Sequence, residues 1–255
     1  MKITIVYFSA TDTTKTIVTE LSREMSNDLY IINITNMPIE EKHHIPSNEI
    51  LIIGMPVYAG RIPSVAIESI KNLYGENTPT ILVAVYGNRE FDDIFVEMQD
   101  ILEHNNFKII AGGAFIAQHS IFPITGKGRP DEKDKKKIKE FAQLCKNKIE
   151  GSQFEKIGRI ELPGNHPYKK PGKIPLKINV NTKCTDCGAC IRVCPAKAIP
   201  EENPHITNFE KCIHCGRCIK VCKMKARNYR NPLYKIAETI FYLKNRKRKE
   251  PEFYI

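Results

Sequence analysis

Cysteine dominates the chemistry available to this sequence, because eight of its nine cysteines stand in one repeated pattern near the C-terminus. Each copy has the spacing C-x2-C-x2-C-x3-C, and the second copy begins 28 residues after the first. Thiolates at such short steps can hold three corners of an iron–sulfur cluster from one tight loop. The two copies comprise Cys184, Cys187, Cys190 and Cys194, and then Cys212, Cys215, Cys218 and Cys222.

This spacing predicts two [4Fe–4S] clusters, in which the fourth cysteine of each copy ligates the other cluster. The crossed ligands join the two halves into one unit. The cluster that we call cluster I is assigned to Cys184, Cys187, Cys190 and Cys222. The cluster that we call cluster II is assigned to Cys212, Cys215, Cys218 and Cys194.

Two other uses of cysteine fit the pattern less well. A structural zinc ion usually takes its four cysteines from paired C-x2-C knuckles, and here a third cysteine at the same step is surplus in both copies. A disulfide framework is typical of secreted proteins, but residues 2–8 form a strand-like run rather than a targeting segment. With no apolar run long enough for a membrane span, we expect a cytoplasmic protein in a reducing, anaerobic cell.

Residues 179–230 resemble the bacterial ferredoxins that hold two [4Fe–4S] clusters. Proline follows Cys194, as in that family, whereas Lys223 follows Cys222. Because proline at this point sets the turn into a short helix, the departure affects local geometry rather than ligation. The resemblance implies a small α+β domain.

The net charge of +10 is unevenly distributed along the chain. Residues 1–150 carry 17 basic and 20 acidic side chains, whereas residues 151–255 carry 22 basic and 9 acidic ones. Eight thiolates around two clusters remove about four positive charges from the second half. No motif that reads a nucleic-acid groove is present, so we expect the basic half to meet acidic redox proteins rather than nucleic acid.

Residues 1–150 alternate strand-like and helical patterns. The strand-like runs are 2–8, 29–34, 49–55, 80–86 and 107–117, and the helical patterns are 14–26, 63–74, 91–104 and 131–149. Such alternation predicts an α/β fold with a doubly wound, parallel, five-stranded sheet covered by helices on both faces. Ligands of these sheets bind beyond the carboxyl ends of the strands, where three polar loops occur.

The first of these loops carries four hydroxyl side chains between a strand and a helix start. Hydroxyls and free backbone N–H groups at a helix N-terminus form a site for a phosphate monoester, although they could serve only to cap the helix. The loop lacks both the nucleoside-triphosphate and the dinucleotide glycine signatures. Its candidate ligand residues are Ser9, Thr11, Asp12, Thr13 and Thr14.

The other two loops offer tyrosine, glycine and polar groups that could hold a flat ring. The candidates after the third strand are Pro56, Val57, Tyr58, Ala59 and Gly60, and those after the fourth are Tyr86, Gly87, Asn88, Phe91 and Asp92.

Together the three loops make residues 1–150 similar to a flavodoxin domain that binds FMN. Asp12 stands where flavodoxins typically carry glycine, and its carboxylate would disfavour a nearby phosphate. With the segments 118–120 and 128–131, the resemblance extends to flavodoxin–ferredoxin fusion proteins and covers nearly the whole chain. His119 could approach the flavin, but its residue type and position alone do not make it an acid or a base.

The remaining segments connect and extend the two domains. Residues 151–178 are rich in proline and glycine and predict an extended linker. Residues 231–255 predict a helix, in which Leu233, Ile236 and Ile240 pack back on the protein, followed by a solvated basic tail. Cys145 belongs to an apolar helical stripe and is expected in the core.

These features predict an electron carrier that passes electrons between two [4Fe–4S] clusters and FMN, and so between protein partners. No evident catalytic nucleophile or substrate pocket appears. Two alternatives stay open: a ferredoxin-dependent FMN reductase that acts on a small molecule, and a redox-sensing interaction protein. Acidic partners such as a ferredoxin are expected to dock on the basic half, with Arg217 and Lys220 among the docking residues.

Overall fold

The computed structural model describes residues 1–151, 158–172, 174–229 and 232–255. The strands are β1 (Ile3–Tyr7), β2 (Leu29–Asn33), β3 (His43–Ile45), β4 (Ile50–Pro56), β5 (Leu73–Gly75), β6 (Thr78–Tyr86), β7 (Phe107–Ile116), β8 (Asn179–Val180), β9 (Arg227–Asn228) and β10 (Glu252–Tyr254). The helices are α1 (Thr13–Met25), α2 (Ile67–Lys71), α3 (Ile94–His104), α4 (Glu132–Gly151), α5 (Ala189–Arg192), α6 (Arg217–Lys220) and α7 (Pro232–Asn245), with a 3-10 turn at Ser64–Ala66.

Five parallel strands form the central sheet in the order β2-β1-β4-β6-β7. This is the flavodoxin-like doubly wound order, in which the chain reverses its direction of winding between β1 and β4. The predicted fold class is therefore confirmed. β3 and β5 add a small parallel pair that the sequence patterns did not predict.

Continuous apolar runs form the inner strands because helices cover both faces of the sheet. α1 and α4 pack on one face, where Ile17, Leu21 and Phe141 contribute to the core. α2 and α3 pack on the other face, with Ile70 and Phe95. Cys145 is fully buried in α4, as expected.

The cysteine-rich part is a small unit with internal symmetry. β8 and β9 form an antiparallel pair, and α5 and α6 occupy equivalent positions in the two motifs. Residues 28 positions apart share unusual left-handed backbone angles, as at Asp186 (φ 49°) and His214 (φ 52°). A third apolar cluster, which includes Ile178, Ile199 and Tyr229, supports this unit.

The C-terminal segment differs from the prediction in two ways. Leu233, Ile236 and Ile240 of α7 are 68%, 57% and 50% exposed, so this stripe faces outward. α7 instead turns Tyr234 and Phe241 toward Phe122, in the loop after β7.

The basic tail is not simply solvated. It returns to the sheet, where β10 pairs antiparallel with the edge strand β7. Asn88 donates hydrogen bonds to the carbonyls of Asn245 and Lys247, over 2.6 and 2.9 Å. Arg248 pairs with Asp131, over 2.7 Å. Phe253 and Tyr254 of β10 also pack against Phe115 and Phe95. The sequence does not reveal this return, because two aromatic residues and single polar contacts do not form a periodic apolar pattern.

Within the predicted linker, residues 152–157 and 173 lie outside the described residues, as does the predicted start of the last helix at residue 231. The described linker runs along α3. Asp93 accepts a hydrogen bond from the backbone N–H of Asn165 over 2.9 Å, and Asp100 pairs with His166 over 2.6 Å. The linker is therefore fixed on the N-terminal domain.

Candidate cofactor sites

A cavity of about 240 Å³ opens at the carboxyl edge of the sheet, where the loops after β1, β4, β6 and β7 converge. Ten of the predicted flavin residues line it: Thr11, Thr13, Thr14, Pro56, Val57, Tyr58, Ala59, Gly60, Tyr86 and Gly87. Five others do not line it: Ser9, Asp12, Asn88, Phe91 and Asp92. The loops therefore converge as the topology predicts. Some of their side chains line the cavity, and the others hold neighbouring segments in place.

The loop after β1 caps the start of helix α1 and also brings threonine residues to the cavity. The buried Ser9 hydroxyl accepts the backbone N–H of Lys15 over 3.0 Å, so it serves the start of α1. The Thr11 and Thr13 hydroxyl oxygens lie 3.5 Å apart at the cavity wall. Thr14 also lines the cavity, so three threonines of this loop lie there, next to the positive end of the α1 dipole.

Asp12 has a left-handed backbone (φ 66°), the conformation that glycine adopts at least cost. Its carboxylate points away from the cavity and pairs with Lys220 Nζ of α6 over 2.7 Å. The same Nζ donates to the Thr11 carbonyl over 2.6 Å. The carboxylate that stands in place of glycine therefore ties the cysteine-rich unit to the first loop.

Tyr58 joins the two parts of the molecule within the loop after β4. Its ring packs edge to face with Phe8, 6.3 Å between centroids. Burial raises the pKa of the Tyr58 hydroxyl well above its usual value, and the nearby Cys215 thiol adds to this shift. Position 60 favours glycine, because a Cβ at this position would lie 2.6 Å from an Asp92 carboxylate oxygen.

In the loop after β6, the residues that line the cavity differ from those that hold other parts of the chain in place. Phe91 lies in the core, 5.4 Å from the Tyr86 ring between centroids, and Asn88 holds the C-terminal tail. Tyr86 itself lines the cavity. A Cβ at Gly87 would lie 2.4 Å from the His119 ring, so this glycine allows the histidine to reach the wall.

His119 lies in the cavity wall, in a fourth loop, and is missing from the residues that we assigned to flavin. Its Nδ1 accepts the backbone N–H groups of Ile121 and Phe122 over 3.2 and 3.0 Å, and its ring packs against Phe241 of α7. Burial, with a smaller effect of Arg89, lowers the pKa of His119 to about 4. The imidazole is therefore neutral near pH 7, and its place just after β7 is the signal that could have identified it.

The cavity fits a flavin ring. Its wall is largely apolar and aromatic, as in small-molecule sites that bind flat rings. Two of its residues bear buried polar atoms, Tyr86 Oη and His214 Nδ1, that lack a hydrogen-bond partner within the described ranges. Such atoms are rare in folded proteins unless a ligand or water satisfies them.

The four cysteines assigned to cluster II converge on one small cavity, which they line together with Ile178, Pro195 and Thr207. Cys194, which comes from the first motif, is among them. Cys215 and Cys218 are buried, and burial raises the pKa of their thiols to about 12 and about 11. Metal binding would therefore have to displace these protons.

The cysteines assigned to cluster I lie nearer the solvent. Cys187 is exposed, and Cys184, Cys190 and Cys222 are partly buried. On this side, Asp186 Oδ1 lies 3.6 Å from the Cys184 sulfur. All nine cysteines are free thiols, which disagrees with a disulfide framework.

The second cysteine motif forms part of the wall of the candidate flavin cavity. Ile213 and His214, which lie between Cys212 and Cys215, both line it. Cys215 packs into the core of the N-terminal domain, and Arg217 donates a hydrogen bond of 2.5 Å to Asn36. The two candidate cofactor sites therefore share one wall.

Residues 183–227 match a family model described as a 4Fe-4S dicluster domain. A comparison with curated proteins found no match. No helix in the described ranges is both long enough and apolar enough to cross a bilayer.

Several solved structures are similar to the N-terminal part. A flavodoxin of Fusobacterium nucleatum bound to flavin mononucleotide is 18% identical with a TM-score of 0.40, over 57% of this chain and 97% of that one. A flavodoxin of Streptococcus pneumoniae TIGR4 is 13% identical with a TM-score of 0.40, over 56% and 96% of the two chains. A flavodoxin from the domain Archaea is 12% identical with a TM-score of 0.40, over 59% and 99%.

The N-terminal part thus has the flavodoxin-like strand order, and residues 183–227 match an iron–sulfur domain model. The chain fits a flavodoxin–ferredoxin fusion, in which a flavodoxin-like domain precedes a ferredoxin-type domain.

Proposed function

We propose that this protein carries electrons between FMN and two [4Fe–4S] clusters, and so between redox proteins. One observation carries the proposal: Ile213 and His214 lie between two assigned ligands of cluster II and also line the candidate flavin cavity. When bound, FMN would exchange one or two electrons and each cluster would exchange one. A shared wall removes the diffusional encounter that separate carriers need.

The burial of the cysteines supports an order of transfer. The cluster II ligands Cys215 and Cys218 are buried beside the flavin cavity, whereas the cluster I ligand Cys187 is exposed. We therefore propose that partners exchange electrons with cluster I, and that cluster II connects cluster I to FMN.

The first loop supports FMN as the flavin. The Thr11 and Thr13 hydroxyls at the start of α1 could donate to a phosphate monoester beside the helix N-terminus. Lys220 neutralises Asp12, so the carboxylate does not leave an uncompensated negative charge beside the phosphate. The neutral His119 and Tyr86 would hold the ring without adding charge.

We propose acidic redox proteins as partners, but on a docking face that does not include Arg217 and Lys220. Arg217 and Lys220 are engaged with the N-terminal domain, so they are poor docking residues. Exposed basic side chains in the sequence around the cluster I ligands offer an alternative face: Lys183, Arg192, Lys223 and Lys225. We expect electron exchange with an acidic ferredoxin to slow as salt rises, and to slow further in a Lys183→Glu, Arg192→Glu variant. A rate that is independent of salt would contradict electrostatic docking.

Cofactor content tests the proposal directly. Anaerobically purified protein should carry about eight iron and about eight acid-labile sulfide per chain, because eight cysteines provide two sets of four ligands. FMN should be retained in preference to FAD and riboflavin. Stoichiometric zinc without sulfide would refute the cluster assignment, and a chain that binds no flavin would refute the carrier.

A further inference from the structure

Arg227 is a buried cation at the centre of the cysteine-rich unit. It lies in β9, five residues after Cys222, and is only 2% exposed. Arginine is almost never fully buried unless its charge is paired, because removing it from water is costly. The position therefore requires a compensating negative charge.

The direct polar contacts of Arg227 do not include a carboxylate within the described ranges. Nη1 donates to the Pro204 carbonyl over 2.6 Å and lies 3.7 Å from the Cys190 sulfur. Nη2 donates to the Thr207 hydroxyl. Nε is buried and has no hydrogen-bond partner in the described part of the chain.

Arg227 lies close to ligands of both clusters. Cys190 is assigned to cluster I and is in direct contact. On the other side, Nη2 donates to the hydroxyl of Thr207, which lines the small cavity formed by the four cysteines assigned to cluster II. One guanidinium therefore lies next to both ligand sets.

The internal repeat shows that this cation is an addition to the motif. The residue 28 positions earlier is Ile199, which is buried in the apolar cluster of the same unit. An apolar side chain therefore satisfies the packing of the equivalent site. What Arg227 adds is charge and hydrogen-bond donors.

We propose that Arg227 is the shared counter-charge of the two clusters and raises the reduction potential of both. A [4Fe–4S]2+ core with four thiolates carries two negative charges, and reduction adds a third. A fixed cation within contact distance of the ligands stabilises the reduced form more than the oxidised form, and the buried surroundings weaken the screening by solvent. The same charge offsets the repulsion between the two anionic clusters.

The experiment is a redox titration of both clusters, followed by electron paramagnetic resonance, in Arg227→Met and Arg227→Lys proteins. At a solution potential near each wild-type midpoint, Arg227→Met should lower the ratio of reduced to oxidised cluster about tenfold or more, or about 59 mV for one electron. Arg227→Lys keeps the charge and should recover most of both potentials. Arg23→Met is the control, because Arg23 is an exposed arginine in the last turn of α1, outside the cysteine-rich unit.

Unchanged potentials in a fully loaded Arg227→Met protein would overturn the proposal, and a shift of one cluster alone would overturn its shared character. If Arg227→Met does not assemble, Arg227→Lys decides. Assembly with nearly wild-type potentials supports the counter-charge, and failure to assemble overturns it in favour of a packing role.

The inference rests on the two clusters of the proposed function. An iron content near four refutes those clusters, whereas unchanged potentials in a loaded variant refute only the role of Arg227.

Discussion

The first cysteine motif faces solvent, whereas the second packs against the flavodoxin-like domain, although both have the same spacing. Cys187 in the first motif is exposed, and its counterpart Cys215 is buried in the core of the N-terminal domain. The two motifs therefore differ in burial and not in ligand spacing. Under the proposed function, the surroundings alone would make one cluster the outer carrier and the other the inner carrier.

The largest expected effect comes from removing one cluster at a time, which tests the difference between the two motifs. Cys215→Ser should lose cluster II and release FMN, because the loop that carries Cys215 also forms a wall of the flavin cavity. The loss of metal affinity should be at least the roughly 10–100-fold that follows loss of a ligand's supporting partner. The matched variant Cys187→Ser should lose cluster I but keep FMN. Iron, sulfide and flavin contents measure both, and equal FMN loss in the two variants would contradict the comparison.

The threonine hydroxyls of the loop after β1 provide the next test, because these residues line the candidate flavin cavity. Thr11→Ala with Thr13→Ala should weaken FMN by about 10–100-fold for each hydrogen bond to phosphate that is lost. Riboflavin, which lacks the phosphate, should be affected much less. Thr16→Ala is the control, because its hydroxyl donates to the Asp12 carbonyl on the exposed side of α1. Fluorescence titration gives the dissociation constants, and equal losses for both flavins would show that the phosphate binds elsewhere.

The partly buried His119 predicts a pH dependence of stability. Burial first, and Arg89 second, lower the pKa of His119 from 6.5 to about 4 in the folded protein. Between these pH values the unfolded chain binds a proton that the folded protein does not. The stability from the neutral ring is therefore complete above pH 6.5 and is lost as the pH falls toward 4, by about 3 kcal/mol at most.

Denaturant unfolding as a function of pH measures this effect. His119→Gln should reduce the loss of stability between pH 6.5 and 4, whereas His104→Gln, at an exposed position at the end of α3, should not. Parallel pH profiles for the wild type and His119→Gln would mean that folding does not lower the pKa of the His119 imidazole.

The ion pair between Asp12 and Lys220 should have the smallest effect, because both side chains are largely exposed. Such pairs contribute about 0–1 kcal/mol. Lys220→Met should weaken FMN several-fold by leaving Asp12 unpaired beside the first loop, and Asp12→Asn in the same chain should restore the affinity. A double-mutant cycle without coupling would show that the pair does not connect the two domains.

The sequence carries local features of the candidate sites but not the contacts between the domains. Spacing and topology lead to the finding that Cys194 lines the cavity of the second cysteine motif and Tyr58 the cavity at the sheet edge, while their ligand roles stay predictions. The contact of Lys220 with Asp12 joins residues 208 positions apart, and no periodic pattern encodes such a pair. Arg227 was not identified because one arginine after a cysteine motif looks like a surface residue until its burial is known.

The apolar stripe of α7 was assigned to the wrong face for a related reason. Helical periodicity identifies a stripe but does not tell which surface covers it. The aromatic residues Tyr234 and Phe241 contact the loop after β7, while Leu233 and Ile236 remain exposed.

A crystal structure of the anaerobically prepared protein with its cofactors tests the central claim most directly. The measured quantity is the distance from the flavin ring to each cluster. We predict that the ring contacts Ile213 and His214, and that the cluster ligated by Cys194, Cys212, Cys215 and Cys218 is the nearer one. A flavin ring outside this cavity, or one nearer to the cluster ligated by Cys184, Cys187, Cys190 and Cys222, would contradict the account.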